Sequence, residues 1–438
     1  MDCLDGMKKI DSECIDAIIS DPPYQLSSMA HSRPDQSEEG SYGKEVPFSR
    51  VQAKKGFMNK SWDILPSVEI LKECYRVLKN GAFSLWLMTP RMDSQTEFVI
   101  RLKQAGFNIA FTPLYWAYAS GFPKAFNISK SINKKAKIEE AKALEGSYAG
   151  FQPKPAVEVI IVAMKPIKEK TYIDQALLHL KEPEHNQLGG TWFDDVRIPT
   201  TQADKSQDRT MIQKADGYEK GWGMKPQGKV QVVNMYKGRF PANLLVSDNI
   251  LDRGIKSKSG GVGGRANHDR GEGYGFKPFK PTYEVQEDEG DFSRYFSLDE
   301  WYRVNIEDLP KEQQKTMPFL YVPKASKSER NKGLENMPDR YDVGVYGDGI
   351  GNVPKEEGQR PNPYKNIHPT AKPIKLMSYL ITLTTRENDI VLDPFTGSGT
   401  TAISSILLKR RFIGFEREAE YHKIATERIK YYQNKEVL

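Results

Sequence analysis

The chain has 438 residues, 28% of them charged, and a formal net charge of +6, a composition typical of a soluble protein of two or three domains. No apolar run approaches the ~20 residues of a membrane-spanning helix, and no apolar signal core stands at the amino terminus, so we expect a cytoplasmic protein without a membrane partner. Its three cysteines form no Cys-x-x-Cys pair and its histidines are scattered, which argues against a disulfide framework and a metal site. The mild positive charge permits nucleic-acid binding without demonstrating it.

Residues 1–165 alternate predicted strands and helices. The predicted strands are Ile15–Ser20, Phe83–Met88 and Val157–Ala163, with an extended aromatic segment over Phe107–Tyr118. The predicted helices are Ser67–Leu78, which Lys79-Asn80-Gly81 ends, and Asp93–Ala105. Such alternation predicts a parallel sheet with helical crossovers.

Residues 166–320 have short apolar runs and many glycine, lysine, aspartate and asparagine residues, and we interpret them as a large irregular insertion. Within it, Ser259–Phe276 is rich in glycine and basic residues. This segment is either a flexible loop or a loop that orders on nucleic acid. Regular alternation resumes in residues 321–438. The elements predicted there are helices over Pro373–Thr384, Gly399–Leu408 and Glu418–Tyr432, and strands over Ile390–Leu392 and Phe412–Phe415.

Asp21-Pro22-Pro23-Tyr24 follows the first predicted strand directly. An acid, two residues without an N–H group and an aromatic ring suit a flat ring that carries an exocyclic amino group. The acid and nearby carbonyls accept the amino protons, and the ring stacks on Tyr24. Taken alone, the motif is also compatible with a Pro-Pro turn that closes the strand.

A second motif, Asp393-Pro394-Phe395-Thr396-Gly397-Ser398-Gly399-Thr400-Thr401, lies between a predicted strand and helix. Its glycines let the backbone approach a ligand closely, and the helix start offers free N–H groups to an anionic group. Glu416 ends the next predicted strand, where an acid binds a ribose diol; it could instead be an acid that matches the helix dipole. The lysine of a phosphate loop and the third glycine of a dinucleotide fingerprint are both missing, so a nucleoside cofactor with a carboxylate is favoured over a nicotinamide cofactor.

The two motifs together resemble the signatures of the β group of DNA amino-methyltransferases, in which the target motif comes first and the cofactor motif last. Asp2-Cys3-Leu4 resembles the family's acidic contact to the cofactor adenine, although Met1 leaves almost no room for a strand before it. His368-Pro369-Thr370-Ala371-Lys372-Pro373 resembles the segment that contacts the methionine end of the cofactor. Gly56–Asp63 and Lys324–Asn331 resemble stretches common in phage and prophage members.

The resemblance implies a Rossmann-like α/β methyltransferase sheet with a circularly permuted motif order and a large inserted irregular domain. Residues 1–165 would form the target-base half, 166–320 the target-recognition insertion and 321–438 the half that binds S-adenosylmethionine. The implied partners are double-stranded DNA and a cognate restriction nuclease, in a bacterial or phage-infected cell, with the enzyme a monomer or homodimer. The implied cofactor-binding residues are Asp2, Cys3, His368, Thr370, Lys372, Asp393, Phe395, Gly397, Ser398, Gly399, Thr400, Thr401 and Glu416.

The implied chemistry is direct methyl transfer to a base flipped out of the duplex. Asp21 would accept one amino proton and the Pro22 carbonyl the other, while the base stacks on Tyr24. Aspartate at the first position favours adenine N6 over cytosine N4. A Pro-Cys motif, which cytosine C5 chemistry requires, does not occur in the chain. An RNA or protein-amide methyltransferase, and a DNA-binding module without catalysis, are the alternatives.

Overall fold

A computed structural model describes thirteen stretches of the chain, and the structural statements below concern these residues. They are 1–25, 62–117, 126–134, 137–149, 151, 153, 155–198, 240–245, 257–259, 288–290, 325–338, 365–368 and 370–435. Most of the predicted glycine-rich loop, most of Gly56–Asp63, and Pro369 lie outside them.

The described strands form a seven-stranded mixed sheet and two small two-stranded ones. The strands are β1 (Ile15–Ser20), β2 (Leu78–Met88), β3 (Leu114–Ala117), β4 (Phe126–Asn127), β5 (Tyr148–Ala149), β6 (Val157–Met164), β7 (Leu244–Leu245), β8 (Ser257–Ser259), β9 (Asp288–Gly290), β10 (Ile390–Asp393) and β11 (Arg411–Gly414). The large sheet has the order β11-β10-β1-β2-β6-β3-β7, and β4 pairs with β5 and β8 with β9. The six residues of β1 are all buried, as expected for an interior strand with a neighbour on each side.

Six of the ten described α-helices pack in two groups on the sheet. The ten helices are α1 (Cys3–Met7), α2 (Val68–Val77), α3 (Met92–Gln104), α4 (Ile128–Asn133), α5 (Ile138–Ala143), α6 (Tyr172–Lys181), α7 (Lys327–Asn331), α8 (Ile374–Thr384), α9 (Thr400–Leu407) and α10 (Ala419–Lys435). The first group comprises α1, α2 and α3, whose apolar residues join those of the strands in the main core. In the second group α8 packs on α9 and α9 on α10, and α8 also contacts β1 and β2.

Parallel pairing of β2, β1, β10 and β11 places their carboxyl ends at one edge of the sheet. Ile18 of β1 lies opposite Leu392 of β10, and β10 pairs in parallel with β11. The chain runs from β1 to β2 on one side and from β10 to β11 on the other. The strand order therefore reverses between β1 and β10, and a crevice at such a point is where open α/β sheets bind ligands.

The prediction of a parallel sheet is wrong for β6. This strand runs antiparallel to both β2 and β3, so its first residues lie at the same edge as the end of β2. Two shorter predictions also differ from the structure. Lys79-Asn80-Gly81 belongs to β2 rather than to a helix stop, and within Phe107–Tyr118 the strand covers Leu114–Ala117. The remaining predicted elements agree with the structure to within a few residues at their ends.

By its internal contacts the chain divides into two compact units. The first comprises Met1–Trp192, Asn243–Leu245 and Tyr321–Leu438, and the second comprises Phe193–Ala242 and Val246–Leu320. The first unit holds the large sheet. In the second, the described residues include a 3-10 turn over Phe193–Val196 and the β8–β9 pair. Among the described helices none combines the length and apolarity that crossing a bilayer requires.

Candidate active site at the carboxyl edge of the sheet

A cavity of about 320 Å³ opens at the carboxyl edge of the parallel strands, at the lower end of the ~300–1,000 Å³ usual for ligand pockets. Sixteen of the seventeen predicted site residues line it. They are Asp2, Cys3, Asp21, Pro22, Pro23, Tyr24, His368, Thr370, Lys372, Asp393, Phe395, Gly397, Ser398, Thr400, Thr401 and Glu416. The exception is Gly399, which instead lies against Ala425 of α10. The structure thus brings together motifs that lie more than 370 residues apart, as with Ser20 and Asp393.

Asp21 lies directly beyond the end of β1 and is held by two side chains. The Tyr24 hydroxyl donates to its Oδ1 atom, and Lys372 Nζ lies 2.5 Å from its Oδ2 atom. The backbone after Tyr24 turns at Gln25, which has a φ of +55°. The Gln25 N–H donates to Asp63 Oδ1 over 2.8 Å, so the buried Asp63 anchors the turn that orients the motif.

Gly397 and Gly399 are both in the left-handed region, with φ of +54° and +81°. A Cβ on Gly397 would lie 2.7 Å from His368 Nε2, and one on Gly399 would lie 3.1 Å from Ala425 Cβ. Glycine is therefore required at each position for two reasons. The positive φ disfavours residues with a Cβ, and a neighbouring atom occupies the space that a Cβ would need. Arg428 holds the turn between them, since its Nη1 donates to the Ser398 carbonyl over 2.5 Å.

Asp393, the last residue of β10, is buried and fully engaged. Its carboxylate accepts from Ser20 Oγ at 2.5 Å, Thr401 Oγ1 at 2.6 Å and the Phe395 N–H at 3.0 Å. Burial raises the pKa of Asp393 to about 6, although these hydrogen bonds act to lower it. The negative charge of Asp21 contributes to the increase. The bond to Ser20 ties the end of β10 to the end of β1 and so joins the two halves of the cavity.

Glu416 reaches the cavity from beyond β11. Its two carboxylate oxygens accept from the Gly397 N–H at 2.9 Å and the Glu418 N–H at 2.7 Å. Burial raises the pKa of Glu416 although these bonds oppose it. The carboxylate therefore braces the glycine turn in addition to lining the cavity. A carboxylate has about four acceptor positions, so capacity remains for a ligand.

Asp2 and Cys3 lie at the start of α1, on the cavity wall. The Asp2 carboxylate caps this helix by accepting from the Leu4 N–H over 2.9 Å. Burial, with the charge of Asp2, raises the pKa of the Cys3 thiol to about 11, so the thiol is protonated at neutral pH. Gly6 follows in α1, and a Cβ there would meet the Phe415 ring at 2.1 Å, which shows how closely the helix approaches β11.

The segment from Lys365 to Pro373 is held in place by α7. Arg330 donates to the His368 carbonyl over 2.7 Å, and Asn331 Oδ1 accepts from the backbone of residues 365 and 366. Glu329 Oε1 accepts the Ile374 N–H over 2.8 Å and so caps α8, whose N-cap residue Pro373 supplies no side-chain bond. These contacts give Glu329–Asn331, within the stretch that resembles phage members, a physical role that the sequence resemblance left unexplained.

His368 and Lys372 occupy different parts of the cavity. Burial lowers the pKa of His368 to about 3, so the ring is neutral, and its edge packs on Tyr421 with centroids 4.7 Å apart. Burial acts to lower the pKa of Lys372, but the charges of Asp21 and Glu158 outweigh it and the pKa is raised. The Lys372 ammonium therefore bridges the segment expected at the methionine end of the cofactor to the Asp21 carboxylate.

Sequence reasoning missed several residues around the cavity. Asp63, Trp62 and Tyr421 line it, Glu158 contacts Tyr24 and Lys372, which do, and Glu329 caps the helix that follows Lys372. The position of Asp63 within the Gly56–Asp63 resemblance was the one signal available for it. Glu158 follows directly on Val157 at the start of a β-branched run, and nothing in that run indicates a site.

The cavity wall carries more acidic than basic side chains. Six carboxylates line it, from Asp2, Asp21, Asp63, Asp393, Glu416 and Glu418. Lys372 and Arg417 are the basic residues that accompany them. Such a surplus of negative charge favours a ligand with a cationic group.

Comparison with known proteins identifies short stretches of high similarity. The chain is 48% identical over 61 residues to the type II methyltransferase M2.MboI of Moraxella bovis, covering 14% of this chain and 22% of the relative. It is 52% identical over 62 residues to M2.DpnII of Streptococcus pneumoniae, covering 14% of this chain and 23% of the relative. The chain therefore matches less than a quarter of the length of these relatives.

Among solved structures, PvuII DNA methyltransferase, described as cytosine-N4-specific, aligns over 99% of this chain and 90% of its own at 14% identity. Its TM-score of 0.40 is too low for conclusions about this protein. The family model described as DNA methylase matches residues 15–427, which include both motifs and the sheet that joins them. With nearly the whole length matched, the chain belongs to the N6/N4 DNA methylase family.

Proposed function

We propose that this protein is a site-specific DNA methyltransferase that transfers a methyl group from S-adenosylmethionine to the exocyclic amino group of a flipped base, with adenine N6 favoured. The observation that carries the proposal is one cavity lined by both the Asp21–Tyr24 motif and the glycine turn. Two direct contacts join these parts, Ser20 to Asp393 and Lys372 to Asp21. A donor and an acceptor bound on the two sides would therefore be adjacent.

The residues of the cavity fit S-adenosylmethionine. Its sulfonium and ammonium groups match the acidic wall, and we assign ribose binding to Glu416, two residues beyond the end of β11. The absence of a side chain at Gly397 lets the His368 ring pack directly against the glycine turn on this side of the cavity. We assign the cofactor to the wall formed by Asp393, Gly397 and Glu416, with Asp2 and His368 on its flanks. When bound, the cofactor supplies an electrophilic methyl group.

The residues on the Asp21 side serve the acceptor. A base must leave the duplex to reach the cavity, at a cost of roughly a few kcal/mol, which stacking on Tyr24 partly offsets. Asp21 accepts one amino hydrogen and the Pro22 carbonyl the other, and both bonds aim the nitrogen lone pair away from the ring. As the new bond forms, the amino nitrogen must lose a proton, and in this proposal the Asp21 carboxylate receives it. Orientation and electrostatics then supply most of the rate.

Double-stranded DNA is the proposed substrate, since membership in the family and the type II methyltransferase relatives both favour it. Aspartate at position 21 favours adenine, as argued from the family motif. Target reading by residues 166–320, a cognate restriction nuclease and a monomeric or homodimeric state remain predictions from the same resemblance.

The proposal is tested by expressing the full chain in a host without DNA methylation and mapping modified bases by single-molecule sequencing. New N6-methyladenine at one sequence is the expected result. N4-methylcytosine would show that the target is the amino group of cytosine rather than that of adenine. Methyl label in RNA or protein alone, or no modified base at all, would refute the proposal.

The Asp21→Ala variant tests the role of the carboxylate. We expect at least about a hundredfold loss of methyl transfer, with cofactor affinity largely retained, because Asp21 lies on the acceptor side. Isothermal titration with S-adenosylmethionine separates the two effects. An equal loss of cofactor binding would show that Asp21 has been placed on the wrong side.

A further inference from the structure

Glu158 is a buried carboxylate that belongs to neither motif. It is 7% exposed and stands second in β6, among apolar residues. Because β6 runs antiparallel to β2, its first residues lie beside the last residues of β2, with Val159 opposite Met88. Glu158 is thereby brought to the edge of the sheet at which Asp21 lies.

Glu158 contacts the two side chains that hold Asp21. Its Oε2 atom lies 3.5 Å from Lys372 Nζ and 3.4 Å from the Tyr24 hydroxyl. Lys372 Nζ lies 3.1 Å from that hydroxyl and 2.5 Å from Asp21 Oδ2. Glu158 does not line the cavity, so an effect on the reaction would have to pass through Lys372 and Tyr24.

Lys372 is shared unequally between two carboxylates, at 2.5 Å from Asp21 and 3.5 Å from Glu158. All three side chains are largely buried, with 17%, 10% and 7% of the side chains of Asp21, Glu158 and Lys372 exposed. A buried charge needs a partner. When Asp21 turns its lone pairs to an amino group, Lys372 loses part of its pairing, and Glu158 is positioned to supply the remainder.

We propose that Glu158 is a positioning residue for methyl transfer, which holds Lys372 and Tyr24 in place while Asp21 accepts the amino group of the base. The inference rests on the proposed function. Without the Glu158 charge, Lys372 would pair with Asp21 alone, and the Asp21 carboxylate would be drawn away from the base.

The test compares wild type with Glu158→Gln, which preserves the shape of the side chain and removes its charge. The measurement is the single-turnover rate constant for methyl transfer to DNA at saturating cofactor, which does not depend on the fraction of active protein. We expect this constant to fall about tenfold or more, because small displacements of a positioned group have large effects on rate. Affinities for cofactor and DNA should change by less than about twofold. Glu158 does not line the cavity, so its loss should not alter how tightly the ligands bind before the reaction.

Two further variants separate positioning from folding. Glu158→Asp keeps the charge but withdraws it by one methylene group, and an intermediate rate constant is expected. Asp16→Asn is the matched control, because Asp16 is also a buried carboxylate paired with a lysine, Lys79 at 2.6 Å, but stands at the other end of β1. This control should lower the thermal unfolding midpoint and leave the rate constant unchanged.

A wild-type rate constant in Glu158→Gln, in an enzyme that methylates DNA, would overturn the inference and leave the proposed function intact. If wild type itself methylates no DNA, the proposed function fails first. Should Glu158→Gln not fold, Glu158→Asp decides, since a rate constant equal to wild type would again overturn the inference. In the double variant with Lys372→Gln, the effect of Glu158→Gln should shrink to the part that passes through Tyr24, because its charged partner is gone; full additivity would contradict the proposed route.

Discussion

Replacing Gly397 by alanine is the sharpest test of how the cofactor side of the cavity is built. The residue has a φ of +54°, and an added Cβ would lie 2.7 Å from His368 Nε2. The ring cannot remain where it is, because ordinary contacts of this kind begin at 3.4 Å. We therefore expect Gly397→Ala to strain the backbone and displace His368 together.

The cost of the strained backbone and the cost of displacing His368 can be given separately. An alanine in the left-handed region costs about 1–2 kcal/mol relative to glycine. His368 must move by about 0.7 Å, and an off-rotamer side chain costs about 0.5–1.5 kcal/mol. The free energy of unfolding should therefore fall by about 2–3 kcal/mol. Cofactor affinity should fall about tenfold or more, which corresponds to at least 1.4 kcal/mol, since the displaced ring and the new methyl group both face the cavity.

Gly146→Ala is the matched control. Gly146 has a φ of +80°, and a Cβ there would meet nothing within 4 Å, so this variant has the backbone cost alone. Thermal unfolding monitored by circular dichroism and isothermal titration with S-adenosylmethionine measure the two variants side by side. Equal destabilisation by both, combined with unchanged cofactor affinity in Gly397→Ala, would refute the assigned role of the glycine turn.

Two further predictions concern the supports of the cavity. The pKa of Asp393 is raised from 3.8 to about 6, so the folded state holds this proton more tightly than the unfolded state. Its contribution to stability is complete below pH 3.8 and is lost as the pH rises through about 6, by up to about 3 kcal/mol. Asp393→Asn should abolish that slope in unfolding midpoints measured from pH 4 to 7, and an unchanged slope would contradict the assignment. Glu329→Ala should lower the free energy of unfolding by about 1 kcal/mol through loss of the α8 cap, whereas Glu329→Gln, which keeps an acceptor for Ile374, should lose less; equal losses in chemical denaturation would exclude the cap.

Local patterns in the sequence were sufficient for most elements of the first unit. Ile15–Ser20 and the helices near 68–77, 92–104 and 374–384 follow hydrophobic periodicity and clear start signals, which act within a few residues. The direction of β6 is different, because a β-branched run indicates a strand but carries no information about its partner. Parallel or antiparallel pairing is decided by packing and connections far away in the chain.

The residues of the candidate site also divide into those that local motifs predict and those that depend on packing between distant segments. Asp21, Gly397 and Glu416 could be found because each belongs to a short motif with a known backbone requirement. Glu158 could not, since its significance depends on β6 running backwards past β2. The contact of Lys372 with Asp21 was also beyond sequence reasoning, because the motif that contains Lys372 suggested the opposite side of the cavity.

The pairing of β1 with β10 has a consequence for how the protein is made. Asp21 leaves the ribosome well before Asp393 and Glu416, because the Ser20–Asp393 bond spans 373 residues. During synthesis β1 therefore exists without its neighbour β10 until the later part of the chain has been made. Contacts so distant in sequence form slowly. The cavity therefore cannot be complete until β11 and the residues after it have been synthesised.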